Sequence, residues 1–388
     1  MGTSALSFEF ATAARILFGE GRVREVGAIA VELGSHALLV ESGSGRAGPV
    51  VALLHEHGVA TTRLHVRSEP TTTVVEQGAE HARRDGCDLV VAVGGGSVID
   101  AAKAVAALIT NREPLVEYLE VVGRARPLEE RSVPMIAIPT TAGTGAEVTR
   151  NAVLMVEERR VKVSLRSPSM LPAVALIDPE LTYSLPPHVT ASTGLDALTQ
   201  CLEPFVSSKA NPITDAVARE GLRRAAGALG RAVRDGGEVE ARRDMAVASL
   251  CGGLALANAK LGAVHGFAAP LGGMFPIPHG TACARLLPPV AAINVRALRE
   301  RVPASPVLDR YDEVARIITG NHAARAEDAA VWLEDLVGEL GVPRLSAYGV
   351  RDEDVSRVVA AARQASSMQG NPITLTDDEL AEVLRGSI

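Results

Sequence analysis

Short runs of consecutive apolar residues alternate with amphipathic stretches through the first half of the chain. "HALLVE" (36–41), "DLVVAV" (88–93), "PMIAIP" (134–139) and "AVALI" (173–177) are rich in β-branched residues and bounded by Gly, Pro or acids. Runs that are apolar at every position, and not only at alternate ones, predict strands buried on both faces, as in a parallel sheet. Between them, "AGPVVALLHEHG" and "TTVVEQGAEHARRDG" carry helical periodicity. The alternation predicts a doubly wound α/β layer. From about residue 180, "PELTYSLPPHVTAS" supplies a turn with two adjacent prolines, and helix-period segments such as "NPITDAVAREGLRRAAGALGRAV" then dominate. The expected architecture is an α/β domain over residues 1–186 and an all-α domain over 187–388, with a cleft between them as the place to look for chemistry.

Composition narrows the classes of function. With 388 residues, 47% hydrophobic and 22% charged, the chain can fill two cores and carries no signature of disorder. A formal net charge of −7 and the lack of a long basic run give no electrostatic support to a nucleic-acid partner. The four cysteines, Cys87, Cys201, Cys251 and Cys283, are scattered without CxxC spacing, which predicts reduced thiols filling the core in a cytoplasmic setting. No basic segment followed by an apolar run opens the sequence, and no apolar stretch reaches the length of a membrane span, so no membrane partner is expected.

Two loops look built for a nucleotide. "DLVVAVGGGSVIDAAKAVAALIT" passes from a strand through Gly94, Gly95, Gly96 and Ser97 into an amphipathic helix that carries Asp100. Glycines allow close backbone approach, and free N–H groups at a helix start favour an anion such as a pyrophosphate. The segment is neither a GxGxxG fingerprint nor a P-loop, and tight packing alone would also use these glycines. "IPTTAGTGAEVT" (138–149) follows a second strand and offers the hydroxyls of Thr140, Thr141 and Thr144. Two such loops at strand ends of one sheet predict a dinucleotide across the sheet edge. Lys162 could then neutralise phosphate, although a lone lysine is more often simply solvated.

The second half holds candidate metal ligands. In "GLDALTQCLE" (194–203), Asp196 and Gln200 stand four residues apart on one face of a predicted helix. In "AVHGFAAPLGGMFPIPHG" (263–280), His265 falls near the end of an apolar helix, and Pro276 and Pro278 force a break before His279. Two histidines flanking a Gly/Pro loop can converge with the Asp-x-x-x-Gln helix on a four-point site. Two of nine histidines could equally be hydrogen-bonded core residues.

The ordered set "GGGSVIDAAKA", "PTTAGTGAEVT", "GLDALTQCLEPFVS", "NPITDAVAREGLRRA", "AVHGFAAPLGG" and "PHG" resembles the iron-containing, group III alcohol dehydrogenases. That family includes lactaldehyde reductase, 1,3-propanediol dehydrogenase and, more distantly, maleylacetate reductase and glycerol dehydrogenase. The resemblance covers essentially the whole chain, to the closing "GNPITLTDDELAEVLR". It implies a Rossmann-like N-terminal domain binding NAD or NADP, and a helical domain holding a divalent ion, Fe2+ or Zn2+. It also implies hydride transfer to or from a small aldehyde, ketone or alcohol, and a homodimer or larger assembly. An edge segment, "ARILFG", could pair between subunits. The ligands would be Asp196, Gln200, His265 and His279, with Asp196, His265 and His279 forming the catalytic set.

Two positions depart from the family pattern. Gln200 stands where histidine is usual, and Ala269 replaces a histidine usually assigned to the proton path. Three arrangements remain open for Gln200: it coordinates through its oxygen, it stands back and orients a water or the substrate, or the site is metal-free as in a maleylacetate reductase. The persistence of the other three ligand types favours a bound metal. Dehydroquinate-synthase-like lyases share the architecture but fit the motifs less well, and a non-catalytic nucleotide-binding protein is the remaining alternative. Cofactor preference rests on Glu41 and Ser42 at the end of the first long strand, where an acid would favour NAD and a one-residue shift reverses the inference. Asn151, Phe267 and Phe275 are candidate pocket residues, and 3% aromatic content argues for a small substrate.

Overall fold

The computed structural model describes residues 6–388. Its first half is built on a six-stranded parallel sheet, ordered β1-β8-β5-β4-β2-β3. The strands are β1 (Arg15–Phe18), β2 (His36–Glu41), β3 (Ala60–His65), β4 (Leu89–Gly94), β5 (Met135–Pro139) and β8 (Val174–Ile177), while β6 (Asn151–Val156) and β7 (Val161–Arg166) form a separate antiparallel hairpin. Helices α1 (Val26–Val31), α2 (Gly48–Glu56), α3 (Thr72–Asp85), α4 (Gly96–Thr110) and the single turn α5 (Leu115–Tyr118) accompany them. The continuous apolar runs are explained by where alternate residues go. Leu38, Val40, Val90 and Ala92 pack with α3 and α4, whereas Ala37, Leu39, Leu89, Val91 and Val93 pack with α1 and α2 on the other face. Every position of β4 is buried, as two-sided coverage requires.

β3 and the β6–β7 hairpin were not legible as apolar runs. β3, "ATTRLH", lies at the sheet edge and is only partly covered, so it needs no continuous apolar sequence. β1 forms the opposite edge, pairing among the described residues with β8 alone.

Nine helices follow: α6 (Pro187–Val206), α7 (Pro212–Arg234), α8 (Val239–Ala259), α9 (Ala263–Met274), α10 (His279–Arg301), α11 (Pro306–Thr319), α12 (Ala326–Glu339), α13 (Val355–Gln364) and α14 (Asp377–Ser387). They share one hydrophobic core. Alanine and glycine let α6, α7 and α8 approach closely: a Cβ on Gly221 would lie 2.3 Å from Cys201 Sγ and 2.9 Å from Cys251 Cβ. Cys87, Cys201 and Cys251 are buried free thiols, as expected of core fillers. No single described helix is long and apolar enough to cross a membrane.

The two halves meet through glycine. Gly145, at φ +58°, lies against Gly253 of α8, and a Cβ on either would come within 2.5 Å of the other's backbone. Gly143 similarly abuts Thr193 of α6. The loop after β5 is thereby pressed onto α8 and onto α6, the helix that carries Asp196 and Gln200.

Candidate active site

The nucleotide loops lie where the strand order reverses. β2 has β3 on one side and β4 on the other, so the crevice beyond Glu41 and Gly94 is the switch point of the sheet, the usual seat of a ligand in open α/β folds. Gly94 pairs with Pro139, and Thr140 N–H donates to Gly94 O at 3.0 Å, which sets the two glycine-containing loops side by side. No side chain caps α4, so the N–H groups of Gly96 and Ser97 are left to serve an anion. A Cβ on Gly95 would sit 3.3 Å from Thr141, and one on Gly96 2.7 Å from Thr144. Gly94 is held differently, because a Cβ there would collide with Val98 at 2.5 Å.

The other nucleotide candidates are engaged within the protein. Asp100 Oδ2 accepts from Val153 N–H at 3.0 Å, and its Oδ1 lies 3.5 Å from Lys103 Nζ. Lys103 is fully buried and also donates to Thr149 Oγ1 and the Asn151 carbonyl. Burial lowers its pKa, against the pull of Asp100 and Glu147. Glu41 is buried and accepts from Arg63 Nε at 2.8 Å, while Ser42 next to it is half-buried at the crevice. Lys162, expected to meet phosphate, is neutralised by Glu69 at 2.9 Å beneath Gly272. Phe267, a candidate pocket residue, lies fully inside the helical core, because it points from α9 toward the bundle. Phe275 remains half-buried, with the Arg357 guanidinium 5.8 Å from its ring centroid.

The metal candidates converge. Asp196, Gln200 and Glu203 follow one another at i, i+4 and i+7 on one face of α6, and all three are buried. His265 sits in the first turn of α9, at its start and not near its end, because α8 stops at Ala259 and Lys260 takes a positive φ of 56°. α8 and α9 meet at 99°, which turns His265 toward α6. His279 is the first residue of α10, after the break at Pro276 and Pro278. His265 Nε2 lies 3.4 Å and His279 Nε2 3.7 Å from Asp196 Oδ1, and the two imidazole centroids are 5.4 Å apart.

Two residues that sequence reasoning did not single out complete the cluster. Glu203 Oε2 lies 2.7 Å from His265 Nδ1, and its Oε1 accepts from Val264 N–H at 2.7 Å. One carboxylate thus caps the start of α9 and turns His265 Nε2 toward Asp196, as metal-bound histidines are commonly oriented. Cys283, one turn after His279, places Sγ 3.6 Å from His279 Nε2 and 3.8 Å from His265 Nε2. The donor atoms of Asp196, His265, His279 and Cys283 all lie within 4.8 Å of one another. The i, i+4 spacing of His279 and Cys283 was the available signal for the second of these residues. Glu203 had only its heptad relation to Asp196.

The chemistry of this donor set fits a divalent cation. Asp196 Oδ1 and Gln200 Oε1 are buried with no hydrogen-bond partner among the described residues. Gln200 Nε2 donates to Asp196 Oδ2 at 2.7 Å, so the amide cannot be flipped without setting two oxygens against each other. Burial depresses the His265 imidazole, but Cys283, Asp196 and Glu203 more than reverse it and leave its pKa well above 6.5. His279 is likewise raised, by Cys283 and Asp196 against burial. Burial pushes the Asp196 carboxyl up, yet His279, His265 and Gln200 bring it below the usual carboxylate range. A buried anionic pocket that draws a proton onto its imidazoles will accept a metal cation in the proton's place.

Comparison with known proteins agrees with this architecture. The iron-containing alcohol dehydrogenase model matches residues 13–179, and the C-terminal model of the same family matches residues 190–388. The chain is 37% identical over 377 residues to choline dehydrogenase of Bacillus subtilis, covering 96% of this chain and 92% of that one. Among solved structures, a 1,3-propanediol oxidoreductase superposes with a TM-score of 0.91 at 33% identity, covering 99% of this chain and 100% of that one. A sulfoacetaldehyde reductase from Bifidobacterium kashiwanohense in complex with NAD+ gives 0.86 at 32% identity, covering 99% of each chain. With both domains matched in order and the Asp-His-His cluster in place, the chain belongs to the iron-containing alcohol dehydrogenase family.

Proposed function

We propose that this chain is a metal-assisted, NAD(P)-dependent alcohol dehydrogenase acting on a small alcohol, aldehyde or ketone, with hydride transfer in the cleft between the sheet and the helices. The observation that carries this reading is the buried, unpartnered Asp196 Oδ1 flanked by the Nε2 atoms of His265 and His279. Asp196, His265 and His279 would hold a divalent ion. When bound, that ion supplies Lewis-acid stabilisation for negative charge developing on a carbonyl oxygen.

The chain's own residues do the rest. The 94–97 loop and the start of α4 bind the dinucleotide diphosphate, and the threonines after β5 line its path toward α6. Gly143 and Gly145 bring the threonine loop against α6 and α8, which supports a nicotinamide end close to Asp196 on α6. Glu203 fixes the His265 tautomer with Nε2 free. His279, about 34% exposed, forms the open side of the cluster, where substrate enters. Ala269 carries no titratable group, so solvent, a cofactor ribose hydroxyl or a metal-bound water would have to supply the proton for the product oxygen.

The reading extends to a homodimer in the cytoplasm. The open edge of β1, preceded by exposed Leu6 and Phe8, supports pairing between subunits, and four free cysteines suit a reducing compartment. Light scattering at micromolar concentration should return at least twice the 40.4 kDa chain mass, and a monomer removes this part.

The activity test is NAD(P)H oxidation by the full chain against a panel of small aldehydes and ketones, with Fe(II), Zn(II) or no added metal after chelation. Metal-dependent turnover of at least one carbonyl is expected. Turnover that is indifferent to metal would support the maleylacetate-reductase-like alternative, and no turnover at all would defeat the enzyme reading.

A further inference from the structure

The family ligand set leaves out the fourth donor that this chain brings to the cluster. Around a tetrahedral divalent ion, metal–nitrogen bonds of about 2.1 Å and metal–sulfur bonds of about 2.3 Å set N and S donors roughly 3.6 Å apart, and N and carboxylate O roughly 3.4 Å apart. The corresponding separations here are 3.6 and 3.8 Å from Cys283 Sγ to the two imidazoles, and 3.4 and 3.7 Å from Asp196 Oδ1 to the same nitrogens. A thiol packed against imidazoles could by itself show similar spacing. Asp196 Oδ1 is the independent observation: it is buried in the same ring of donors and has no hydrogen-bond partner among the described residues.

Gln200 bears on the same question from the other side. Its Nε2 is committed to Asp196 Oδ2, while its Oε1 is buried and without a hydrogen-bond partner among the described residues. Cys283, by contrast, lies on α10 one turn from His279 and faces both imidazole Nε2 atoms.

The geometry points to Cys283 Sγ as a direct ligand of the divalent ion beside Asp196, His265 and His279, with Gln200 Nε2 positioning the Asp196 carboxylate. The inference rests on the metal-assisted reading above. Binding replaces the S–H bond by a metal–sulfur bond and sends one proton to solvent. Two anionic donors, Asp196 and Cys283, then balance the charge of a divalent ion, with His265 and His279 neutral. A thiolate also makes the site softer, favouring Zn(II) or Co(II) over Fe(II) relative to an all-nitrogen-and-oxygen set.

The test is Co(II) added to the chelated, full-length protein under anaerobic conditions, read by absorbance and by equilibrium dialysis. The expected wild-type spectrum has visible d–d bands together with a near-ultraviolet thiolate-to-cobalt charge-transfer band. Cys283→Ser should lose the charge-transfer band, keep d–d absorption, and reduce the preference for Zn(II) over Fe(II) in competition by about tenfold or more. Cys201→Ala, which alters a thiol bonded to the Ala248 carbonyl within the helical core, should keep both features. Cobalt binding in wild type without the charge-transfer band overturns Cys283 ligation and leaves the metal-assisted reading standing. Loss of the band in Cys201→Ala overturns it too. No cobalt bound by wild type overturns both. Should Cys283→Ser fail to fold, Cys283→Ala is read in its place, and retention of the charge-transfer band there overturns Cys283 ligation.

Discussion

Gln200 Nε2 donates a 2.7 Å hydrogen bond to Asp196 Oδ2 inside one turn of α6, leaving Asp196 Oδ1 for the two histidines. The pair explains how a glutamine can stand where an imidazole is usual. It steadies the carboxylate without neutralising it. Gln200→His should therefore exchange a positioning contact for a stronger donor and tighten metal retention. Elemental analysis after dialysis against a mild chelator should show more metal in Gln200→His than in wild type, and little in His279→Ala. Equal, negligible metal in wild type and Gln200→His would mean the cluster does not hold a metal.

Glu203 serves His265 and the start of α9 at once. Glu203→Gln removes the charge that favours the Nε2-ligating tautomer and turns an amide donor toward one of two N–H groups. Metal affinity should fall by about 10- to 100-fold, the usual cost of losing such a partner. Competition with a chromophoric chelator measures it, and an unchanged affinity would show that Glu203 matters only to the fold.

The glycines of the two halves should separate by phenotype. At Gly95 the added Cβ of alanine lies 3.3 Å from a threonine side chain that can give way, so Gly95→Ala should fold normally. It should weaken NAD(P)H binding by about 10-fold or more if it costs one charge-assisted N–H contact to phosphate. At Gly253 the added Cβ would lie 2.5 Å from the Gly145 carbonyl oxygen, which is backbone. Gly253→Ala should destabilise the protein by about 1–3 kcal/mol. Fluorescence titration and thermal melts on both variants distinguish the two effects.

Glu147 makes stability depend on pH. Burial pushes its carboxyl up to about 7, its own backbone N–H and the Lys103 ammonium pulling it down less strongly. The folded pKa thus lies above the unfolded value of 4.5, so the native state keeps a proton that the unfolded chain releases. The associated stability is fully present below pH 4.5 and is lost as pH rises to about 7, a change of about 3 kcal/mol. Glu147→Gln should remove that contribution to the slope. Urea melts of both proteins between pH 5 and 8 check it, and parallel pH profiles would show that Glu147 does not titrate across this window.

The sequence by itself determined the elements whose burial is local in pattern. β2, β4, β5 and β8 were readable because strands covered on both faces must be apolar at every position. The Gly94–Gly96 turn was readable because only glycine admits such close backbone approach, and the start of α10 because Pro276 and Pro278 break the preceding helix. Asp196 and Gln200 could be set on one face from the helical repeat alone. What the tertiary structure decided was which partners meet across long stretches of chain. Glu203 reaches His265 from 62 residues away, and no periodicity announces that contact. Lys162 is spent on Glu69, and Glu41 on Arg63, because the packing of separate elements places opposite charges together there. Cys283 looks like one more apolar core residue until the 99° turn from α8 to α9 swings His265 beside it. A donor set of this kind is a property of three helices at once. Its residues are written in the sequence, but their common centre exists only when α6, α9 and α10 pack.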